Sequence, residues 1–212
     1  MFLFFSFALA LIASLFPLPS IAQQGFEQSL SPYLGTINVS SSPAYAGGEL
    51  TGCHLEFGAL VRDWTYRKGA FLRVGGAVGI SGANKKLVVT LKTIVHELDP
   101  VTGNFVPSPP ASAYFIDGAR TTKSTLVGNY PSDTPGGLFS VFQLVPSAEL
   151  VMSGLSEGKI TTGFARILGG KDILVSIETD VEDTTPQGVR VRSQRMVDDF
   201  FGCVVPLLNT NK

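Results

Sequence analysis

Thr51-Gly52-Cys53-His54-Leu55-Glu56-Phe57-Gly58-Ala59-Leu60-Val61-Arg62 is the stretch whose reading decides the fold. Thr51, Cys53, Leu55, Phe57, Ala59 and Val61 make one series, predominantly apolar. Gly52, His54, Glu56, Gly58, Leu60 and Arg62 make the other, mostly polar or small. A period of two is that of a strand with one face in a core, and it puts Cys53 on the core face. Working outward, strands are predicted over 71–80 and 87–98, the second with Leu87, Val89, Leu91 and Val95 on one side. Gly82-Ala83-Asn84 supplies the turn between them. Beyond the loops Asp99-Pro100-Val101-Thr102-Gly103-Asn104 and Pro107-Ser108-Pro109-Pro110, shorter strands are predicted over 113–117, 125–129 and 138–144. The segments 160–168 and 173–181 read as a hairpin about Gly169-Gly170-Lys171-Asp172.

Two segments break the strand pattern. A short helix is predicted over 147–156, with Ser147 as its N-cap and Gly158 beyond its end. A longer one is predicted over 194–205, capped by Ser193, with Val197, Phe200, Phe201, Val204 and Leu208 at helical spacing and Pro206 ending or kinking it. Cys203 shares a face with Met196 and Phe200, so that face is expected on the sheet against Cys53. The fold class that satisfies these constraints is mainly β. It is an antiparallel β-sandwich or roll with one short helix and a C-terminal helix packed on the sheet.

The cysteines and the N-terminus read together as an address. Residues 1–22 carry no charge, run apolar from Phe2 to Phe16, and finish Pro19-Ser20-Ile21-Ala22. Small residues at the third and last positions before a cut suit signal peptidase, so 1–22 is expected to be a signal peptide cleaved before Gln23. The apolar run before Pro17 is about 15 residues, short of the roughly 20 that span a bilayer, although no Lys or Arg precedes it. Residues 23–212, with no internal repeat and no linker, are then expected to form a single exported β-rich domain. Periplasm is the expected compartment, with the extracellular medium as alternative. In an oxidising compartment two cysteines in one domain pair with each other.

Charge and motif spacing exclude several functions. Sixteen basic and seventeen acidic residues leave a net charge of −1, which gives no electrostatic reason to expect nucleic acid or an anionic membrane as partner. Gly154-Leu155-Ser156-Glu157-Gly158 has the glycine–serine spacing of a hydrolase nucleophile, but a helix is predicted before Ser156, a strand after it, and no histidine follows. Gly75-Gly76-Ala77-Val78-Gly79 lacks the spacing and the βαβ setting of a dinucleotide site. His54 and Glu56 share a strand face, and with His96 on a neighbouring strand they would make a metal or acid–base site only if strand order and register brought them together. Glu178, Asp180, Glu182 and Asp183 read as a solvated acidic face. No cofactor is called for.

Arg62-Asp63-Trp64-Thr65-Tyr66-Arg67-Lys68-Gly69 is the most binding-like segment, joining the only tryptophan to a tyrosine and three cations. Aromatic and arginine side chains give large contact area at low entropic cost. Against that stands the expectation that a lone tryptophan turns inward and caps an end of the sandwich. Tyr130, in the Pro- and Gly-rich stretch 129–137, is a second candidate rim, so the proposed binding surface is Trp64, Tyr66, Arg67 and Tyr130. A hairpin followed by a helix with Phe-x-x-Cys, Phe200 to Cys203, resembles the tail of small bacterial periplasmic proteins of the invasion-associated locus B type. That family's paired internal cysteines are absent here, and nothing is carried over from it. The expected function is an exported, non-catalytic binding or assembly module of the cell envelope. The alternatives are a hydrolase using carboxylates, which two buried carboxylates converging in a cleft would favour, and a secreted host-interaction protein.

Overall fold

A computed structural model describes residues 27–83 and 86–210. The expected signal peptide, its cleavage point and Asn84 lie outside the described residues. The strands are β1 Gly35–Ala46, β2 Glu49–Asp63, β3 Ala70–Ala83, β4 Lys86–Leu98, β5 Phe105–Pro107, β6 Ser112–Asp117, β7 Arg120–Thr121, β8 Leu126–Pro131 and β9 Gly137–Gln143. Helix α1 Leu144–Ser156 follows, then β10 Lys159–Ala165, β11 Ile173–Glu178, β12 Val181–Thr184, β13 Arg190–Arg192 and helix α2 Arg195–Thr210.

Among the described residues the large sheet runs β1-β2-β3-β4-β9-β8, with β5 also paired to β4. A smaller sheet runs β11-β10-β6-β7, and β12 and β13 form a two-stranded ribbon. Neighbouring strands are antiparallel. One face of the large sheet presents Cys53, Leu55 and Phe57 of β2, Val74 and Val78 of β3, and Val89 and Leu91 of β4 to a core. Phe115 of β6, Phe164 of β10, Val175 of β11, Leu155 of α1 and Phe200 of α2 fill the same core from the other side. The period of two therefore reports this face, while Leu60 of the other series is buried with Phe71 and Leu98 in a second, smaller cluster on the opposite face.

Helix α2 lies on β1 and β2, and Cys203 is bonded to Cys53 with Cα atoms 5.8 Å apart. Its buried seam is Met196, Val197, Phe200, Val204 and Leu207. Three expectations are corrected here. Phe201 and Leu208 are exposed, because the disulfide at Cys203 sets the helix's rotation and brings Leu207 inward instead. Pro206 does not end the helix, which runs on to Thr210, and its ring is exposed. The helix begins one residue later than expected, so Gln194 is the residue whose carbonyl accepts the first helical amides, and Ser193 Oγ accepts the Arg195 amide at 3.2 Å from just outside it. In α1 Val145 is non-helical, so regular turns begin after it, and the Ser147 hydroxyl is buried against Thr125 Oγ1 at 2.8 Å.

Strand β1 was not visible in the sequence pattern. Its run Ser40-Ser41-Ser42-Pro43 has no apolar alternation, and it is tolerated because β1 is a sheet edge, where a proline removes no essential ladder bond. The hairpin that recruits it turns at Gly47 and Gly48, both at positive φ (60° and 86°), the backbone that a two-residue turn between twisted strands requires.

Candidate functional site

The loop between β2 and β3 is built on one carboxylate. Asp63 is 0% exposed. Its Oδ1 accepts the amides of Thr65 at 3.0 Å and Tyr66 at 2.7 Å, and its carbonyl accepts the Gly69 amide at 2.7 Å. The chain closes the loop at Gly69 with φ +90°, where an added Cβ would lie 2.6 Å from the Trp64 ring. The indole therefore rests on the Gly69 backbone and remains 72% exposed. The inward-turned tryptophan is corrected: with the Asp63 turn in place, the ring packs on its own loop rather than over the core.

Beneath this loop lies a charged clamp. Arg166 donates through Nε to Asp63 Oδ2 at 3.0 Å, and through Nη1 to Glu97 Oε2 at 3.0 Å and Ser108 Oγ at 2.7 Å. Glu97 Oε1 in turn holds Arg67 Nε at 3.0 Å. The two carboxylates that would favour a hydrolase do converge. All four of their oxygens are taken up by Arg166, Arg67 and the Thr65 and Tyr66 amides, so they act as struts between β2, β4 and β10. Beside the clamp is an open cleft of about 570 Å³, bordered by Arg62, Arg67, Lys68, Glu97, Asp99 and Val101. The Arg62 guanidinium lies 4.1 Å over the Phe71 ring, desolvating its stem, and its Nη1 donates to the Gly69 carbonyl at 3.0 Å. Asp99 accepts the Val101 amide and the Thr102 hydroxyl, and these bonds hold its carboxyl below the usual range.

The four residues of the sequence-derived binding surface do not form one site. Arg67 borders the cleft, and Trp64 lies on the same loop with its ring over Gly69. Tyr66 is half-buried and donates its hydroxyl to the Lys171 carbonyl at 2.5 Å. Tyr130 is 51% exposed on β8, at the far edge of the sheet with β3, β4 and β9 between it and β2.

Register separates the histidines. His54 stands opposite Gly79 and His96 opposite Arg73, six residues apart along β3 and so about 20 Å. The His54 ring lies on Gly79, where a Cβ would be 2.2 Å away, and its Nε2 meets Ser81 Oγ at 3.1 Å. Burial pushes its pKa down, against the pull of Glu56. Glu56 accepts the Ser42 hydroxyl at 2.8 Å. Among the described residues no three His, Cys, Asp or Glu side chains gather where a metal ion would bind. Arg192 pairs with Glu178 and Asp180, and Arg195 with Glu182 at 3.3 Å. Ser156 ends α1 ahead of β10, and its Oγ donates to the Ser153 carbonyl at 2.7 Å.

Sequence reasoning found the turn about Gly169-Gly170-Lys171-Asp172 but not its place beside the tryptophan loop, and it ran the preceding strand to Leu168, whereas β10 ends at Ala165. Residues 166–172 join β10 to β11 and abut the tryptophan loop. Besides the Tyr66–Lys171 bond, Thr65 Oγ1 approaches the Asp172 carbonyl at 3.4 Å. Ile167 and Leu168 on this loop are 62% and 80% exposed. Asp172 pairs with Lys123 at 3.1 Å, and that ammonium stands 4.0 Å over the Tyr114 ring. An arginine directly after the buried pair Phe164-Ala165 was the available signal, since a cation at the rim of a core demands carboxylates nearby. The chain matches no protein-family model, no curated protein and no solved structure.

Proposed function

We propose that this protein is an exported, non-catalytic binding module of the cell envelope, and that it binds through the end carrying Trp64. The observation that carries the reading is the exposed indole on a rigid platform. Keeping a tryptophan 72% in water forgoes burial worth roughly 2 kcal/mol or more, and the buried Asp63–Arg166 clamp spends its charges on holding that loop in place. Preorganised aromatic surface beside arginine is what binding faces concentrate. The disulfide fits an oxidising compartment, and no helix among the described residues is long and apolar enough to cross a membrane.

Fractionation of the producing cells tests the reading. The protein is expected in the envelope fraction, and Trp64→Ala is expected to release it while its denaturation midpoint stays unchanged. Full retention of the variant, or turnover of a hydrolysable substrate by the purified wild type, would refute the reading.

A further inference from the structure

The loop end differs from a flat docking face in how its apolar side chains are exposed. Trp64, Ile167, Leu168 and Val101 are 72%, 62%, 80% and 91% exposed, on three separate loops. In a flat apolar patch each side chain shields its neighbours; values this high belong to projecting tips. The loops are not slack, however. The first two are joined by the Tyr66–Lys171 and Thr65–Asp172 contacts and by the Arg166 clamp, and the third, 99–104, is closed on Asp99 and borders the same cleft as Lys68. Isolated tips on a fixed frame suit a partner that deforms around them rather than one that must be sculpted to match.

Charge at this end points the same way. Glu97 and Asp63 are neutralised by Arg67 and Arg166, Asp172 by Lys123, and Glu27 faces Arg62 at 3.9 Å. Asp99 is turned onto its own loop. Lys68 and Lys171 are exposed and have no carboxylate partner among the described residues; Lys68 borders the same cleft as Val101, and Lys171 lies on the loop that carries Ile167 and Leu168. Counting the ionised Asp99, six cations (Arg62, Arg67, Lys68, Lys123, Arg166 and Lys171) meet five carboxylates (Glu27, Asp63, Glu97, Asp99 and Asp172), so this end of a near-neutral chain carries a local excess of one positive charge beside exposed tryptophan and aliphatic groups. Tryptophan at the headgroup level, aliphatic groups just below it and lysines at the phosphates is how interfacial segments meet a bilayer.

We propose that this end docks on a phospholipid surface, with Trp64, Ile167, Leu168 and Val101 entering the headgroup–acyl boundary and Lys68 and Lys171 meeting lipid phosphates. The proposal rests on the reading of the Trp64 end as the binding surface and names its partner. Apolar insertion drives the docking; the two lysines add a preference for anionic lipid.

Because Trp64 is the only tryptophan, its fluorescence reports on this end alone. The protein as recovered from the envelope or medium of its host is mixed with vesicles of phosphatidylglycerol and phosphatidylethanolamine, and separately with phosphatidylcholine vesicles. Trp64 emission should shift to the blue and be quenched by lipids brominated along the acyl chain. Partition should weaken about tenfold in Leu168→Ser, whose side chain is too exposed to affect folding, while Val205→Ser on the outer side of α2 leaves it unchanged. Lys68→Glu with Lys171→Glu should remove the preference for phosphatidylglycerol. An unshifted Trp64 with every vesicle, or a shift that Leu168→Ser leaves intact, would overturn the proposal. If purified protein ignores vesicles but Trp64→Ala still releases it from the envelope, the lipid is wrong and the binding surface stands. If neither responds, both fall.

Discussion

Cutting the Cys53–Cys203 bond is the perturbation whose magnitude can be worked most directly. The bond closes a separation of 150 residues, and chain-entropy reasoning puts its contribution at about 5 kcal/mol, with about 2 kcal/mol as a lower expectation. The two halves of the bond differ in what replaces them. Cys203 is half-buried, and its sulfur lies 3.7 Å from the Gly52 carbonyl, so a serine hydroxyl there has an acceptor within reach. Cys53 is fully buried among Leu55, Val39 and Ile80, where a hydroxyl would be stranded at a further cost of about 1–3 kcal/mol. Cys203→Ser should therefore lower stability by about 2–5 kcal/mol in urea titration, and Cys53→Ser by about 1 kcal/mol or more beyond that. The seam of α2 should loosen first, so native-state trypsin should cut at Arg195 before the sheets melt, the ribbon upstream being tied down by Arg190 to the Pro32 and Leu34 carbonyls. Two free thiols per chain in denatured, unreduced protein would refute the bond. Equal losses in the two serine variants would refute the placement of Cys53.

Further outcomes follow from the same geometry. Arg166→Met should destabilise by about 3–5 kcal/mol, because Asp63 is left charged and buried, and Asp63→Asn in the same chain should restore much of that; a loss below about 1 kcal/mol would show that the clamp contributes little. His54 has a folded-state pKa below its ordinary value of about 6.5, so the unfolded chain binds the extra proton first. Its contribution is complete above about pH 6.5 and is lost as the pH falls from there through the lowered folded value. His96 is shifted the same way by partial burial and Arg73, so His54→Gln should flatten only part of the acid-side slope of urea midpoints, and an unaltered slope would count against the buried-ring geometry. Intact mass of protein from the host envelope or medium should correspond to a chain beginning at Gln23; a chain retaining Met1 would contradict cleavage after Ala22.

Local geometry is what a sequence writes down, and here it wrote the sandwich's main strands. Successive side chains of an extended chain point to opposite faces, so Cys53, Leu55 and Phe57 declared the core side of β2 without reference to any other strand. The seam through Met196, Phe200 and Cys203 declared the helix face for the same reason, and together they were enough to foresee the disulfide. Strand β1 escaped because its serines carry no such alternation, although Gly47-Gly48 marked its hairpin.

Tertiary structure decided everything that depends on register and on contacts between distant segments. His54 and His96 share a face, yet six residues of register along β3 part them. Arg166 finds Ser108, Glu97 and Asp63 at separations of 58, 69 and 103 residues, and no local pattern encodes a pairing across that distance. That clamp, closed only when β2, β4 and β10 have assembled, is what turns Trp64 outward and sets the tips of 166–172 beside it. A short polar loop next to a tryptophan is compatible with burial or exposure. The choice between them was made by where the packed sheets placed a buried carboxylate and its arginine.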